Sequence, residues 1–116
     1  MSDYKYFTFS EFNCSCCDRN RMSHDFLTRL DELRALCGFP FVVNSGYRCE
    51  NHPNEASKAT PGTHNKGIAA DIQVTNGYQR RQLVDAALEM NFGGIGVAKT
   101  FVHVDDRDSD AVMWTY

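Results

Sequence analysis

A chain of 116 residues is long enough for one hydrophobic core and too short for two, and 42% apolar with 23% charged residues is the balance of an ordinary globule. The net charge of −3, with basic residues scattered and Arg80-Arg81 the only adjacent pair, excludes a general nucleic-acid binder, which needs a clustered basic surface. No apolar run approaches a membrane span and "MSDYKYFTFS" lacks the apolar segment of a signal peptide, so the expectation is a chain that is cytoplasmic as synthesised, without stable membrane association.

In chain order, "YFTFSEF" alternates apolar residues and then reads as a short helical turn, and "NCSCCDRN" follows as a polar turn. Its three cysteines join Cys37 and Cys49 to make five, an odd number that cannot all pair within one chain. Reduced thiols in a cytosolic setting are the expectation. Ser23 is placed to cap a helix to about Leu36, with Phe26, Leu27, Leu30, Leu33 and Cys37 as one apolar stripe, ended by Gly38 and Pro40. "FVVNS" predicts a short strand. It leads into "GYRCENHPNEASKATPG", a long polar loop of the kind that serves a function in a compact domain.

"GIAADIQV" predicts a second strand, with Ala70, Ile72 and Val74 on one face and Ala69, Asp71 and Gln73 on the other. Asn76 is placed to cap a second helix to about Asn91, with Leu83, Val84, Ala87 and Leu88 inward. "GGIGVA" and "FVHVD" read as a hairpin through Lys99-Thr100, and "VMWTY" as a closing strand. Residues 1–116 thus predict a single α+β domain, with two main helices on a mainly antiparallel sheet of four to five short strands.

The residues able to do chemistry gather on these strands. Alternation in "FVHVD" puts Phe101, His103 and Asp105 on one face. In "GTHNKGIAAD", His64 precedes a strand whose non-core face carries Asp71, and Gly67 permits a tight turn between them. His64, Asp71 and His103 are two imidazoles and one carboxylate, the donor types of a catalytic zinc with a fourth position open. Spacing alone does not separate that reading from histidines satisfied in the core or at the surface. His24 and His52 read as helix-start and loop residues.

"GTHNKGIAAD" resembles the Ser-x-His-x-x-Gly-x-Ala-x-Asp signature of the zinc D-alanyl-D-alanine peptidase family. "SGYRC" at 45–49 resembles the Ser-Gly-Tyr-Arg segment that precedes it there. "GGIGVAKTFVHVDDR" at 93–107 is similar to the segment of one subgroup that leads to His-x-Asp-x-Arg, and "EFNCSCC" to that subgroup's N-terminal stretch. The resemblance implies a Hedgehog/D-Ala-D-Ala-peptidase-like fold and a zinc carboxypeptidase or endopeptidase acting on peptidoglycan stem or cross-link peptides. It implies that His64, Asp71 and His103 bind Zn2+, with Arg48 beside the metal to steady a substrate carbonyl or carboxylate.

Two positions depart from the family pattern. Gly62, with Thr63 adjacent, stands where the family has serine, and Thr100 stands where many relatives carry an acidic general base three places before the last ligand. Asp105, roughly 6–7 Å from His103 along the strand, is expected to act as base instead. The rival assignment puts Asp105 on the metal and makes His103 the base. Arg107 either holds Asp105 or lies in an exposed turn, and Asp106 is expected to be solvated.

The expected setting is a phage lysis enzyme released to the cell wall by a holin-type partner, a virion-associated enzyme, or cell-wall remodelling. The competing class is a non-catalytic zinc module for wall binding or virion assembly, which Thr100 keeps open. A third is a thiol-based redox or structural-zinc protein built on Cys14, Cys16 and Cys17 with Cys49 or Cys37, although adjacent cysteines are awkward for one tetrahedral site. The loop Glu50–Pro61 is expected to choose between a closed carboxypeptidase pocket and an open endopeptidase groove.

Overall fold

The structure is a computed structural model that describes residues 4–52 and 62–116. After a single 3-10 turn at Phe9–Phe12, helix α1 spans His24–Cys37. The Ser23 hydroxyl accepts from the Phe26 N–H, which supplies a partner for one of the first-turn amides, and Gly38 ends the helix in the left-handed region at φ 75°. Phe26, Leu27, Leu30 and Leu33 are buried as the periodicity predicts, and Cys37 is half-buried.

Helix α2 spans Gly77–Glu89, with the Asn76 side chain accepting from the Gln79 N–H at 2.8 Å. Its buried residues are Leu83, Ala86 and Ala87; Val84 is half-buried and Leu88 is 52% exposed. The inward reading of Leu88 is therefore corrected. Five residues of helix rotate a side chain roughly 140° away from Leu83, whereas Ala87 lies only about 40° from it.

Strands β1 (Val43–Ser45), β2 (Ala69–Gln73), β3 (Gly94–Val97), β4 (Phe101–Asp105) and β5 (Val112–Thr115) form one sheet in the order β1-β2-β4-β3-β5. The expected β3–β4 hairpin is present, and β1–β2 and β2–β4 are antiparallel as well. β5 is parallel to β3, which makes the sheet mixed. The chain leaves β4 and steps over the end of β3, where the Val112 N–H donates to the Gly93 carbonyl.

Register decides where the site lies. Asp71 on β2 pairs with His103 on β4, and Ala69 pairs with Asp105. Directly opposed residues share a sheet face. Ala70, Ile72, Val102, Val104 and Ile95 join the helix stripes in the hydrophobic core, so Asp71, His103 and Asp105 are left on the opposite face. Among the described residues no helix is long and apolar enough to cross a membrane. Residues 53–61 of the loop expected to shape the substrate groove lie outside the described residues.

Candidate metal centre

His64 reaches the site from the turn before β2. Gly67 closes that turn at φ 74°, and a side chain there would put its first carbon 2.1 Å from the Arg21 carbonyl oxygen. The turn brings His64 Nε2 to 3.3 Å from Asp71 Oδ1, while the sheet register brings His103 Nδ1 to 3.0 Å from the same oxygen. The two imidazoles meet edge to face with centroids 5.1 Å apart. All three side chains are buried.

The outer ring nitrogens fix which inner nitrogens carry lone pairs. His64 Nδ1 lies 2.7 Å from the Gly46 carbonyl oxygen, an acceptor only, so Nδ1 donates. His103 Nε2 lies 2.7 Å from Asp105 Oδ2 and donates to that carboxylate. In their neutral forms His64 Nε2 and His103 Nδ1 therefore turn lone pairs toward a carboxylate oxygen, a convergence that only a cation relieves. Tetrahedral zinc with bonds of about 2.0–2.2 Å wants ligand atoms roughly 3.3 Å apart, and these three donors fit it. Histidine ligands whose other nitrogen is tied to a carbonyl or carboxylate are the usual supporting arrangement of such a site.

Asp105 is fully buried and its carboxylate is saturated. Oδ1 accepts from the Arg107 main-chain N–H (3.0 Å) and Nε (2.9 Å), and Oδ2 accepts from Arg107 Nη2 (2.7 Å) and His103 Nε2 (2.7 Å). Those donors occupy the roughly four lone-pair directions a carboxylate has. Gly94, paired with Asp105 across the sheet, makes room for this fork; a carbon added there would stand 2.3 Å from Asp105 Oδ2 and 2.6 Å from Arg107 Nε. Of the two readings of Arg107, the structure thus has the one in which it holds Asp105.

Burial would raise both carboxylates. For Asp71 the hydrogen bonds to His103 and His64 outweigh it, and for Asp105 those to His103 and Arg107, so both stay well below the usual carboxylate range. Burial would lower His103, but Asp105 and Asp71 on either side outweigh it and raise the imidazole above its ordinary value.

Arg48 stands beside the metal donors. Its Nη2 lies 3.1 Å from Asp71 Oδ2, the oxygen turned away from the histidines, and its Nε donates to Ser45 Oγ at 3.0 Å. The group opens into a cleft of about 760 Å³ lined also by Phe101, Lys66, Trp114 and Tyr116. Trp114 on β5 packs its ring 5.0 Å from that of His103.

Of the remaining expected residues, Asp106 borders the same cleft, and the others fall elsewhere. Thr100 is exposed in the β3–β4 turn and borders a different cleft. Asp106 is not solvated but half-buried and paired with Arg29. His24 begins α1 beside Tyr4, and His52 lies against Ser15. The Gly46 carbonyl and Tyr116 were beyond sequence reading, the first because a backbone acceptor has no residue signature.

No curated protein sequence matches the chain significantly. The family model described as Peptidase M15 matches residues 5–105, which include Arg48, His64, Asp71, His103 and Asp105. With that match extending over most of its length, the chain belongs to the peptidase M15 family, the zinc D-alanyl-D-alanine peptidases.

Proposed function

We propose that the protein is a zinc-dependent peptidase of bacterial peptidoglycan, hydrolysing an amide bond next to a D-configured residue in stem or cross-link peptides. The observation that carries this reading is the convergence of His64 Nε2, His103 Nδ1 and Asp71 Oδ1 at the floor of a cleft. A volume of about 760 Å³ lies within the usual range for small-ligand sites and accommodates a short peptide. Zinc held by these donors supplies Lewis acidity, polarising a carbonyl and lowering the pKa of a water toward about 7.

The chain's own residues divide the other work. Arg48 keeps Asp71 turned toward the histidines and presents its guanidinium to the cleft, where it can hold a substrate carbonyl or carboxylate as charge develops. Asp105 fixes the ring of His103 with Nδ1 inward, so its role is positioning rather than proton abstraction. In the rival assignment Asp105 binds metal, but its saturated carboxylate faces the far nitrogen of His103. Trp114 and Tyr116 add aromatic rings to the lining of the cleft.

Peptides of this kind occur in the cell wall, which places the reaction in wall remodelling or phage lysis, a holin-type partner giving access in the latter case. The alternative is a zinc-containing wall-binding or virion assembly module without catalysis. Its support is Thr100 at the place of the family's acidic base, together with the engaged oxygens of Asp105.

Incubating zinc-loaded protein with pentapeptide monomers and cross-linked dimers, with products identified by mass spectrometry, tests the reading. Loss of a terminal D-alanine from monomers marks a carboxypeptidase, and splitting of dimers marks an endopeptidase. Intact substrates that nonetheless bind the protein favour the assembly module.

A further inference from the structure

Four of the five cysteines meet in one place. The chain at 14–19 curls back on itself, the Cys14 N–H donating to the Arg19 carbonyl at 2.8 Å and the Asp18 N–H to the Cys14 carbonyl at 2.9 Å. Asp18 takes a left-handed backbone at φ 60° to complete the curl. This turn removes the objection to adjacent cysteines, because Cys14, Cys16 and Cys17 all end beside Cys49, which follows β1 on a distant part of the chain.

The four sulfurs lie within 4.8 Å of one another, with Cys14–Cys16 at 3.4 Å and Cys16–Cys49 at 3.2 Å. A disulfide needs about 2.05 Å, so these are separate thiols. A tetrahedral zinc with Zn–S bonds of about 2.3 Å sets its sulfurs roughly 3.8 Å apart, inside the observed spread. The Cys49 N–H donates to Cys14 Sγ at 3.4 Å, the kind of amide bond that supports a thiolate, and Arg19 hydrogen-bonds Cys17.

We propose that Cys14, Cys16, Cys17 and Cys49 form a second, structural zinc site, distinct from the His64/Asp71/His103 centre. Binding makes four Zn–S bonds and releases the thiol protons to solvent, with no change in oxidation state. The closed all-sulfur shell leaves no position for substrate, so the ion acts on the fold. It staples the N-terminal turn to the segment 46–49, where the Tyr47 N–H already donates to the Phe12 carbonyl at 2.8 Å. That segment presents Arg48 to Asp71 and the Gly46 carbonyl to His64.

Metal analysis of the full chain tests the site without reference to activity. Wild type is expected to hold two zinc ions, the His64→Ala/Asp71→Ala variant one, and the Cys16→Ser/Cys17→Ser variant one. The two serines replace exposed cysteines, which spares the core. X-ray absorption on zinc-loaded wild type needs no variant to fold, and a sulfur shell at about 2.3 Å, averaging two sulfurs per zinc, is expected. A single zinc lost in His64→Ala/Asp71→Ala and a nitrogen/oxygen shell alone would overturn the proposal, whether the cysteines then titrate as free thiols or are found oxidised.

Discussion

Asp105 and His103 carry the chemistry that is easiest to misassign. A carboxylate two residues from a histidine ligand looks like a base from its spacing, yet four N–H donors already surround it. Asp105→Asn is therefore expected to weaken zinc binding about 10–100-fold, while kcat at saturating zinc stays within a few-fold of wild type. A collapse of kcat by about 10²–10⁴ with zinc affinity unchanged would restore the base assignment.

His103, Asp71 and Asp105 give the metal-free protein a distinctive pH profile. His103, raised by Asp105 and Asp71 against the effect of burial, contributes stability in full below its ordinary value near 6.5 and loses it as pH rises through the raised one. Asp71 and Asp105, held low, contribute above about pH 4 and lose their contribution as pH falls toward their depressed values. Thermal melts of metal-free Cys16→Ser/Cys17→Ser protein should peak between those limits and decline on the alkaline side. Zinc on His103 Nδ1 would take the place of the proton between the two carboxylates, so added zinc should abolish that decline. Metal-free stability that holds level or climbs from about pH 6.5 to pH 9 would contradict this account.

At the level of elements, the strands position the site by what they leave out as much as by what they carry. Gly94 on β3 makes room for the Asp105–Arg107 fork, so Gly94→Ala should push that pair apart and loosen His103 without touching a ligand. Its expected cost is about 1–3 kcal/mol in denaturant unfolding, with weaker zinc binding. Gly77→Ala is the control, since the added carbon meets only Arg80 Nη1 at 3.8 Å, and it should be neutral or slightly stabilising. Equal effects of the two substitutions on zinc affinity would rule out the fork as the cause.

Strand alternation was enough to put Asp71, His103 and Asp105 on their faces, because that period is local. The Asp71–His103 register and the parallel seating of β5 were not readable, because they depend on which distant strand becomes the neighbour. Likewise, "NCSCCDRN" shows its cysteines but not the curl at Asp18 that gathers them against Cys49.

Over the whole molecule, function depends on residues that are neighbours only after folding. Arg48, His64, Asp71 and His103 come from the segment after β1, a turn, and two paired strands, so a metal held by His64, Asp71 and His103 would be linked to the native state. The motifs in order along the chain made the family legible, since each motif is contiguous. The His64–Gly46 bond was not, because it joins a side chain to main chain 18 residues away.

The most direct test of the central claim is mass spectrometry of peptidoglycan fragments incubated with wild type, chelator-treated, zinc-restored and Asp71→Ala protein. The account predicts new peptide ends beside a D-configured residue with wild type, their loss on chelation, their return with zinc, and none with Asp71→Ala. Cleavage that persists through chelation or through Asp71→Ala, or intact fragments with protein shown to hold zinc on His64, Asp71 and His103, would contradict it.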